Sequence, residues 1–589
     1  MTALLERPPV DPAPPAGRSA TRTQRITQLR PSRPIAFLLL FGLVLYPTVL
    51  IVVASFITDG TPLPDVGTDW APTMSHLRDV LTSRAALQAL WNSISLAALS
   101  TVFGVVIGGL LAWLAARTDI PMPRLAAFSG IIPMLIPALV GAIAWSFLGA
   151  PEVGYIPLLL EQIGIDWSFS MYSYWGMLFV YSLYNVPLAF VFLYGALRLT
   201  NPEMEDAANV HGATRWRTMR SVTFPLVKPA MLSAVLLNFV STVEDFPVAM
   251  ILGYANRIET LAARIFVMEG QAPPPVNDNA AQAVLLMIVV VVLVTYQRRL
   301  LKGRSYATVT GKGVQHRKVA LGRVGRPLAL VFVLGYMFLA VGLPMMALLM
   351  GSLRPTLYVP DFKALLDPDE LTTESLTNAL SDEHMWQVAG NSFMIALAVA
   401  VIGVALAVLV SYATRDQNSR VARLLTQVAM LPAALPGVVL GLGMLWAYVI
   451  LPVTIYGTLA ILIVACLARL LPISTSSVSA AMAGIHVDLE DAATVSGAGR
   501  VRAVWWVTVP LLRTGLISTG VVLFIMATRE ISMSIFLYTP GTETFAVYLY
   551  LLWANGTWSQ LASMSFIFAV FTLLLVLLTR RWIAESSVR

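Results

Sequence analysis

Little in this sequence is charged, and even less is chemically reactive. Asp, Glu, Lys and Arg make up only 12% of the 589 residues, against 57% hydrophobic residues. A soluble chain of this size cannot keep so much apolar surface from water, which leaves lipid as the expected solvent. Cysteine is nearly absent. Cys466, the single one, sits in an apolar run, has no partner for an intrachain disulfide and reads as a small core residue. His76, His211, His316, His384 and His486 are scattered, so neither a nucleophile–base constellation nor a metal site is expected. No G-x-x-x-x-G-K-[ST] phosphate loop occurs, so the chain should not hydrolyse ATP itself.

What the sequence does have is apolar blocks of about twenty residues, the length at which a helix crosses the hydrocarbon core. Twelve spans are expected. Six lie near 35–56, 92–115, 125–149, 174–197, 229–252 and 281–298, and six near 328–351, 392–413, 424–447, 457–478, 514–537 and 561–579. The first run, Ile35 to Phe56, exceeds a signal-peptide core and no small-residue cleavage pattern follows it, so it reads as a retained span. The net charge of +7 sits mainly between the blocks. The N-terminal tail carries Arg7, Arg18, Arg22, Arg25, Arg30 and Arg33, and the stretch from Arg298 to Arg326 has nine Lys or Arg and no acidic residue. Between the seventh and eighth spans lie Asp361, Asp367, Asp369, Glu370, Glu374, Asp382 and Glu383. The positive-inside bias then places both termini and the middle linker in the cytoplasm, and the acidic segment outside. The expected organisation is a tail (1–34), a six-helix domain (35–298), a solvated basic linker (299–326) and a second six-helix domain (327–589).

Such symmetry calls for an internal repeat. The loop after the fourth span reads Glu205-Asp206-Ala207-Ala208-Asn209-Val210-His211-Gly212, with Phe224-Pro225 further on. The loop after the tenth span reads Glu490-Asp491-Ala492-Ala493-Thr494-Val495-Ser496-Gly497, with Val509-Pro510 further on. All these positions share an offset of 285, as do Pro187 and Pro472 in the preceding spans. Upstream, Asn92-Ser93 matches Asn391-Ser392, and Pro133 and Pro137 match Pro432 and Pro436, at an offset of 299. The halves therefore read as parallel repeats.

Each loop is expected to be a short helix, a turn and a second short helix. Asn201 is placed to cap, Pro202 suits the first helical position, and Glu203, Glu205 and Asp206 favour the positive end of the dipole. The alanine pairs combine helix propensity with little bulk, which lets another surface approach, and Gly212 or Gly497 supplies the turn. Pro225 and Pro510 mark re-entry toward the next span. Glu244 and Asp245 fall inside the fifth span, Arg529 and Glu530 at the equivalent place in the eleventh, and Arg469 in the tenth. A charge at a helix centre costs roughly 2.5–3.5 kcal/mol on insertion scales, so these residues are expected to face a pathway between the halves. A structural cluster in which Arg529 neutralises a carboxylate is the alternative.

At this point the loops can be compared with a known pattern. They resemble the motif of ATP-binding-cassette importer permeases: Glu-Ala-Ala, three residues, Gly, nine residues, then an aliphatic residue and Leu-Pro. Asp206-Ala207-Ala208 and Asp491-Ala492-Ala493 take the first places with Asp for Glu, and Phe224 and Val509 replace Leu. The resemblance covers the chain apart from the tail and linker. It implies an all-helical membrane fold of twelve helices in two parallel six-helix repeats, with the two loops as coupling helices. It also implies two ATPase subunits that bind ATP and Mg, an external solute-binding protein, a prokaryotic inner membrane as the location, and no cofactor or nucleic acid bound by this chain. The stretch from Arg529 to Thr544 looks like fused permeases of the ferric-iron type, a group whose relatives carry thiamine, polyamines, sulfate or aminophosphonates. Of the other classes weighed, a secondary transporter fits less well. It would often show a Gly/Asp/Arg-rich loop after the second span, whereas Arg117 to Arg124 contains no glycine.

Overall fold

The computed structural model describes residues 32–58, 71–165, 169–200, 202–301, 318–357, 359–416, 419–450, 455–485 and 488–586. Nearly all of the tail and the central part of the basic linker, with the calls made on Asn201, His316 and His486, lie outside the described residues. Among the described residues the chain is helical throughout, with two isolated β-bridges and no strand.

Among the described residues, ten helices are long and apolar enough to cross a membrane. They are Ser32–Ala54, Arg84–Arg117, Tyr174–Leu199, Trp216–Val243 and Val276–Tyr296 in the first half. The second half has Gly322–Ser352, Glu383–Thr414, Leu459–Ala483, Val504–Thr528 and Trp558–Leu575. The two remaining expected spans are not straight. Pro123–Leu135 and Ala138–Gly149 meet at 94°, and Arg420–Ala434 and Gly437–Ile450 meet at 111°. Both breaks follow from the proline pairs. Pro133 and Pro432 begin short 3₁₀ turns, and Pro137 and Pro436 then sit in the extended corner, where a missing N–H removes no helical bond.

The fifth and eleventh spans also differ from expectation. Rather than running through 229–252 and 514–537, their helices end at Val243 and Thr528, with Glu244 and Arg529 as C-terminal caps. The charges thus lie at breaks rather than in unbroken helix. At the other end, the second short helix of each loop is no separate element, because it continues into the span.

Proline shapes four of these helices in one way. Tyr46, Phe224, Leu343 and Val509 each precede a proline, and each donates its N–H to the carbonyl five residues back. The proline ring has no N–H and crowds the carbonyl four residues back, so the turn before it widens into a π-bulge. In the fourth span, Pro187 leaves the Leu183 carbonyl without its helical donor, and the Tyr336 hydroxyl fills that place at 3.2 Å. Tyr336 belongs to the seventh span, so this bond joins the two halves.

The first span of each half packs against the other half. Gly443 is closed in on by Ile51 and the Pro47 carbonyl of the first span, so that an added Cβ would lie only 2.7 Å from each, and Tyr448 donates to the Gly42 carbonyl at 3.4 Å. Reciprocally, the seventh span lies on the Pro123–Ser129 and Ala138–Gly149 helices. Within the first half, Gly104 and Gly108 let the second span touch the fourth, where an added Cβ would come within 2.6 Å of Asn185 and 2.8 Å of the Val186 carbonyl.

Candidate functional site

Two sets of residues were singled out by sequence, and the structure gives each a distinct setting. The first set forms the paired loops. Pro202–Val210 and Asp488–Val495 are short helices that end in Gly212 and Gly497, at φ +79° and +89°. Ala213 N–H reaches the Ala208 carbonyl and Ala498 N–H the Ala493 carbonyl, both at 3.0 Å, the six-to-one bond that closes a glycine-terminated helix.

Glu205 and Glu490 do more than favour the dipole. Each is turned inward as an anchor. Glu205 takes a two-pronged contact from Arg117 at 3.1 and 3.2 Å, and accepts from the Thr223 hydroxyl at 2.7 Å. Glu490, only 8% exposed, accepts from Arg415 at 2.7 Å and from the Thr508 hydroxyl at 2.7 Å. Arg117 ends the second span and Arg415 caps the eighth. A carboxylate thus ties each loop helix to two membrane helices. Sequence reasoning missed both arginines; the signal was their common place at the ends of equivalent spans.

Asp206, Ala207, Gly212, Ala492 and Gly497 face outward, while Ala208 and Ala493 are half-buried. Val210 and Val495 are 86% and 89% exposed, an apolar tip on each loop. Pro225 and Pro510 lie in the first turn after the π-bulges.

The end of the second span, which anchors the first loop through Arg117, has one more neighbour. Val319, near the end of the basic linker, donates to the Arg117 carbonyl at 2.8 Å, and its own carbonyl accepts from Asp119 N–H at 3.1 Å. The Asp119 carboxylate accepts from Arg326 at 2.5 Å and from Leu321 N–H at 2.8 Å. The Arg326 hydrogen bond, with that of Leu321, holds the Asp119 carboxyl below the ordinary carboxylate range. On the other half, Arg33 reaches Asp416 at 3.5 Å and the Ala413 carbonyl at 3.4 Å.

The second set lies where the halves meet. Arg469 donates to Glu244 at 2.5 Å across the two halves, and to the Leu435 carbonyl at 2.8 Å in the corner of the ninth span. Arg529 donates to the carbonyls of Met134 and Ile136, at 2.7 and 3.3 Å, in the corner of the third span. Asp245 accepts from Val248 N–H at 3.2 Å and from Tyr181 at 3.0 Å, and Glu530 accepts from Met533 N–H at 3.0 Å. Asp245 and Glu530 therefore cap equivalent segments. Asp245, Arg529 and Glu530 line one cavity of about 430 Å³ with Tyr181, Tyr184 and Asn185. Glu244 and Arg469 do not line that cavity; they form the ion pair.

The matched Asn-Ser pairs acquire a role as well. Asn92 donates to the Glu259 carbonyl at 2.9 Å and Ser93 accepts from Leu261 N–H at 2.8 Å, while Asn391 donates to the Glu543 carbonyl at 3.1 Å and Ser392 accepts from Phe545 N–H at 2.7 Å. Each pair fixes the start of a short helix, Leu261–Glu269 or Phe545–Ala554, that precedes the last span of its half.

A polytopic helical membrane protein with a duplicated, anchored loop and a cavity between its halves is the class this geometry defines. Residues 104–302 match the family described as "Binding-protein-dependent transport system inner membrane component". The chain is 24% identical over 517 residues to the ferric transport system permease protein FbpB of Actinobacillus pleuropneumoniae, covering 87% of this chain and 72% of the relative. It is 28% identical to a putative 2-aminoethylphosphonate transport system permease protein, PhnV, of Salmonella paratyphi A, over 41% of this chain and 88% of the relative. A solved bacterial alginate ABC transporter aligns with 41% of this chain and 85% of its own at 20% identity, with a TM-score of 0.34, too low a likeness to carry an argument. Residues 104–302 thus match a permease domain of that family, and the chain over most of its length is similar to permeases of binding-protein-dependent ABC importers, in keeping with a multi-pass inner membrane protein.

Proposed function

We propose that the chain moves a small solute inward by alternating access, driven by two separate ATPase subunits, one seated on each of the loops Glu205–Pro225 and Glu490–Pro510. The observation that carries this reading is the doubled anchor. A loop that only joined two spans would not need a carboxylate fastened to the ends of two helices, with an apolar valine left in water at its tip, twice. Fastened in this way, a loop helix passes a push from a docked partner straight into the second and fifth spans, or the eighth and eleventh. ATP and Mg are bound by the partners. The basic tail and linker lie in the cytoplasm with the loops, and the acidic segment between the seventh and eighth spans faces the external binding protein.

Ferric iron is the favoured cargo, because a ferric transport permease is among the relatives matched over most of the chain. Among the described residues no group of His, Cys, Asp and Glu is placed to hold a metal, so carrying the ion falls to the binding protein. The 2-aminoethylphosphonate permeases support a second cargo reading with the same machinery. Pull-down of the tagged chain from native membranes, with metal and small-molecule analysis of any captured binding protein, tests both. Bound ferric ion supports the first cargo and a bound phosphonate the second; capture of neither an ATPase nor a binding protein overturns the importer assembly.

A further inference from the structure

Arg469 and Arg529 are both held inside the bundle, yet only one has a carboxylate. At the offset of 285 that relates the later parts of the two halves, Tyr184 corresponds to Arg469 and Glu244 to Arg529. The pairing of Glu244 with Arg469 therefore has a counterpart, Tyr184 with Arg529, in which a phenol stands where symmetry would place the other member of an ion pair. Among the described residues Arg529 makes no salt bridge. Two of its nitrogens donate to the Met134 and Ile136 carbonyls, the first at an exposed edge, and its Nε has no partner. The Tyr184 hydroxyl has none either. Asp245 and Glu530 share the cavity with Arg529 but neither comes within ion-pair distance of it. Both are committed to capping N–H groups, and Asp245 also to Tyr181.

A guanidinium in a membrane interior without a counter-charge is costly unless something supplies the charge. The cavity beside it, about 430 Å³, is within the range of small-molecule sites. We propose that this cavity is an anion site, in which an oxyanion group of the passing solute (phosphate, phosphonate or carboxylate) supplies the counter-charge that Arg529 lacks, with Tyr184 as an added donor. The site rests on the reading of the chain as an importer permease, but not on which cargo it carries. The oxyanion has two sources: a free organic solute, or the oxygen ligands that keep a hard ferric ion in solution.

The test uses the full chain in lipid nanodiscs with its ATPase, following thermal unfolding by tryptophan fluorescence at constant ionic strength. The probes are sodium phosphate, 2-aminoethylphosphonate, sodium citrate and ferric citrate, against chloride. At least one oxyanion probe should raise Tm saturably, and Arg529→Gln should raise its half-saturating concentration by about tenfold or more. Arg529→Gln also loses the two carbonyl contacts, so Tyr184→Glu serves as the second variant. It installs a carboxylate opposite Arg529 and should abolish the shift while leaving the anion-free Tm no lower than that of the native chain. A shift with phosphate or phosphonate supports a free solute, and a shift with ferric citrate but not citrate supports the ligands of the ion. No saturable shift with any probe, or one unchanged in both variants, overturns the site. ATP-driven uptake in proteoliposomes, with the same chain and ATPase and the binding protein supplied, keeps that failure distinct: uptake without an anion effect sinks the site alone, and no uptake sinks the importer reading.

Discussion

The two halves of this chain share a scaffold and differ in what they put at its centre. Both have a proline corner in the third span, a π-bulge before the fifth, a carboxylate-anchored loop, and an Asn-Ser pair that fixes a short helix before the last span. At the centre the likeness stops. The first half has Tyr184 and Glu244 where the second has Arg469 and Arg529, so one half is acidic and the other basic at matching points. Duplication alone would give like charges facing each other. The divergence turns that repulsion into one cross-half ion pair, Glu244 with Arg469, and one arginine that grips the carbonyls of its neighbour's corner. The scaffold is what both halves must keep to fold; the centre is where the two halves depart from symmetry.

The largest effect should come from breaking that central pair. Glu244→Ala leaves Arg469 buried without a carboxylate and should destabilise the chain by about 3–5 kcal/mol, read as a lowered midpoint of unfolding in detergent. Arg469→Met together with Glu244→Met should recover most of the loss, since neither charge is then stranded. If Glu244→Ala leaves the midpoint unchanged, the pair is not a link between the halves.

Next come the anchors. Arg117→Ala and Arg415→Ala each leave a loop carboxylate with only a threonine hydroxyl, and should cost about 1–3 kcal/mol locally. The expected readout is ATP turnover that no longer drives transport. Equal losses in the two variants would mean the loops act alike, and a loss in only one would show that the halves divide the work.

Gly212→Val and Gly497→Val should have a smaller effect on stability, about 1–2 kcal/mol each, because a β-branched residue is forced to positive φ while nothing lies within 4 Å of the added Cβ. Membrane insertion should be intact and uptake reduced. Normal uptake in the double variant would refute the coupling role.

The smallest effect is expected at Asp119, which ties the end of the linker to the end of the second span. Its carboxyl is held below the ordinary range, so its contribution is present above the unfolded pKa and lost as pH falls through the lowered folded value. Protection of the Val319 and Leu321 amides, relative to their intrinsic exchange, should therefore be steady at neutral pH and fall only below the ordinary carboxylate range, while Asp119→Asn should lower it at neutral pH. Unchanged exchange in that variant would show that the backbone contacts hold the linker without the carboxylate.

The apolar blocks determined the helical membrane class, and two loops at one spacing determined the duplication, because both depend on local composition and chain order. Proline positions foretold where helices would bend, but not that the third and ninth spans would turn through 94° and 111°. The fifth and eleventh spans looked continuous because hydropathy does not register a cap formed by a carboxylate on its own backbone. Glu205 and Glu490 were legible as loop residues, yet their inward turn depends on Arg117 and Arg415, 88 and 75 residues away. The crossing of each first span onto the opposite half, and the meeting of Glu244 with Arg469 over 225 residues, were decided by tertiary structure alone. A sequence records which charges must be buried, but only the packing of helices brings distant side chains close enough to neutralise them.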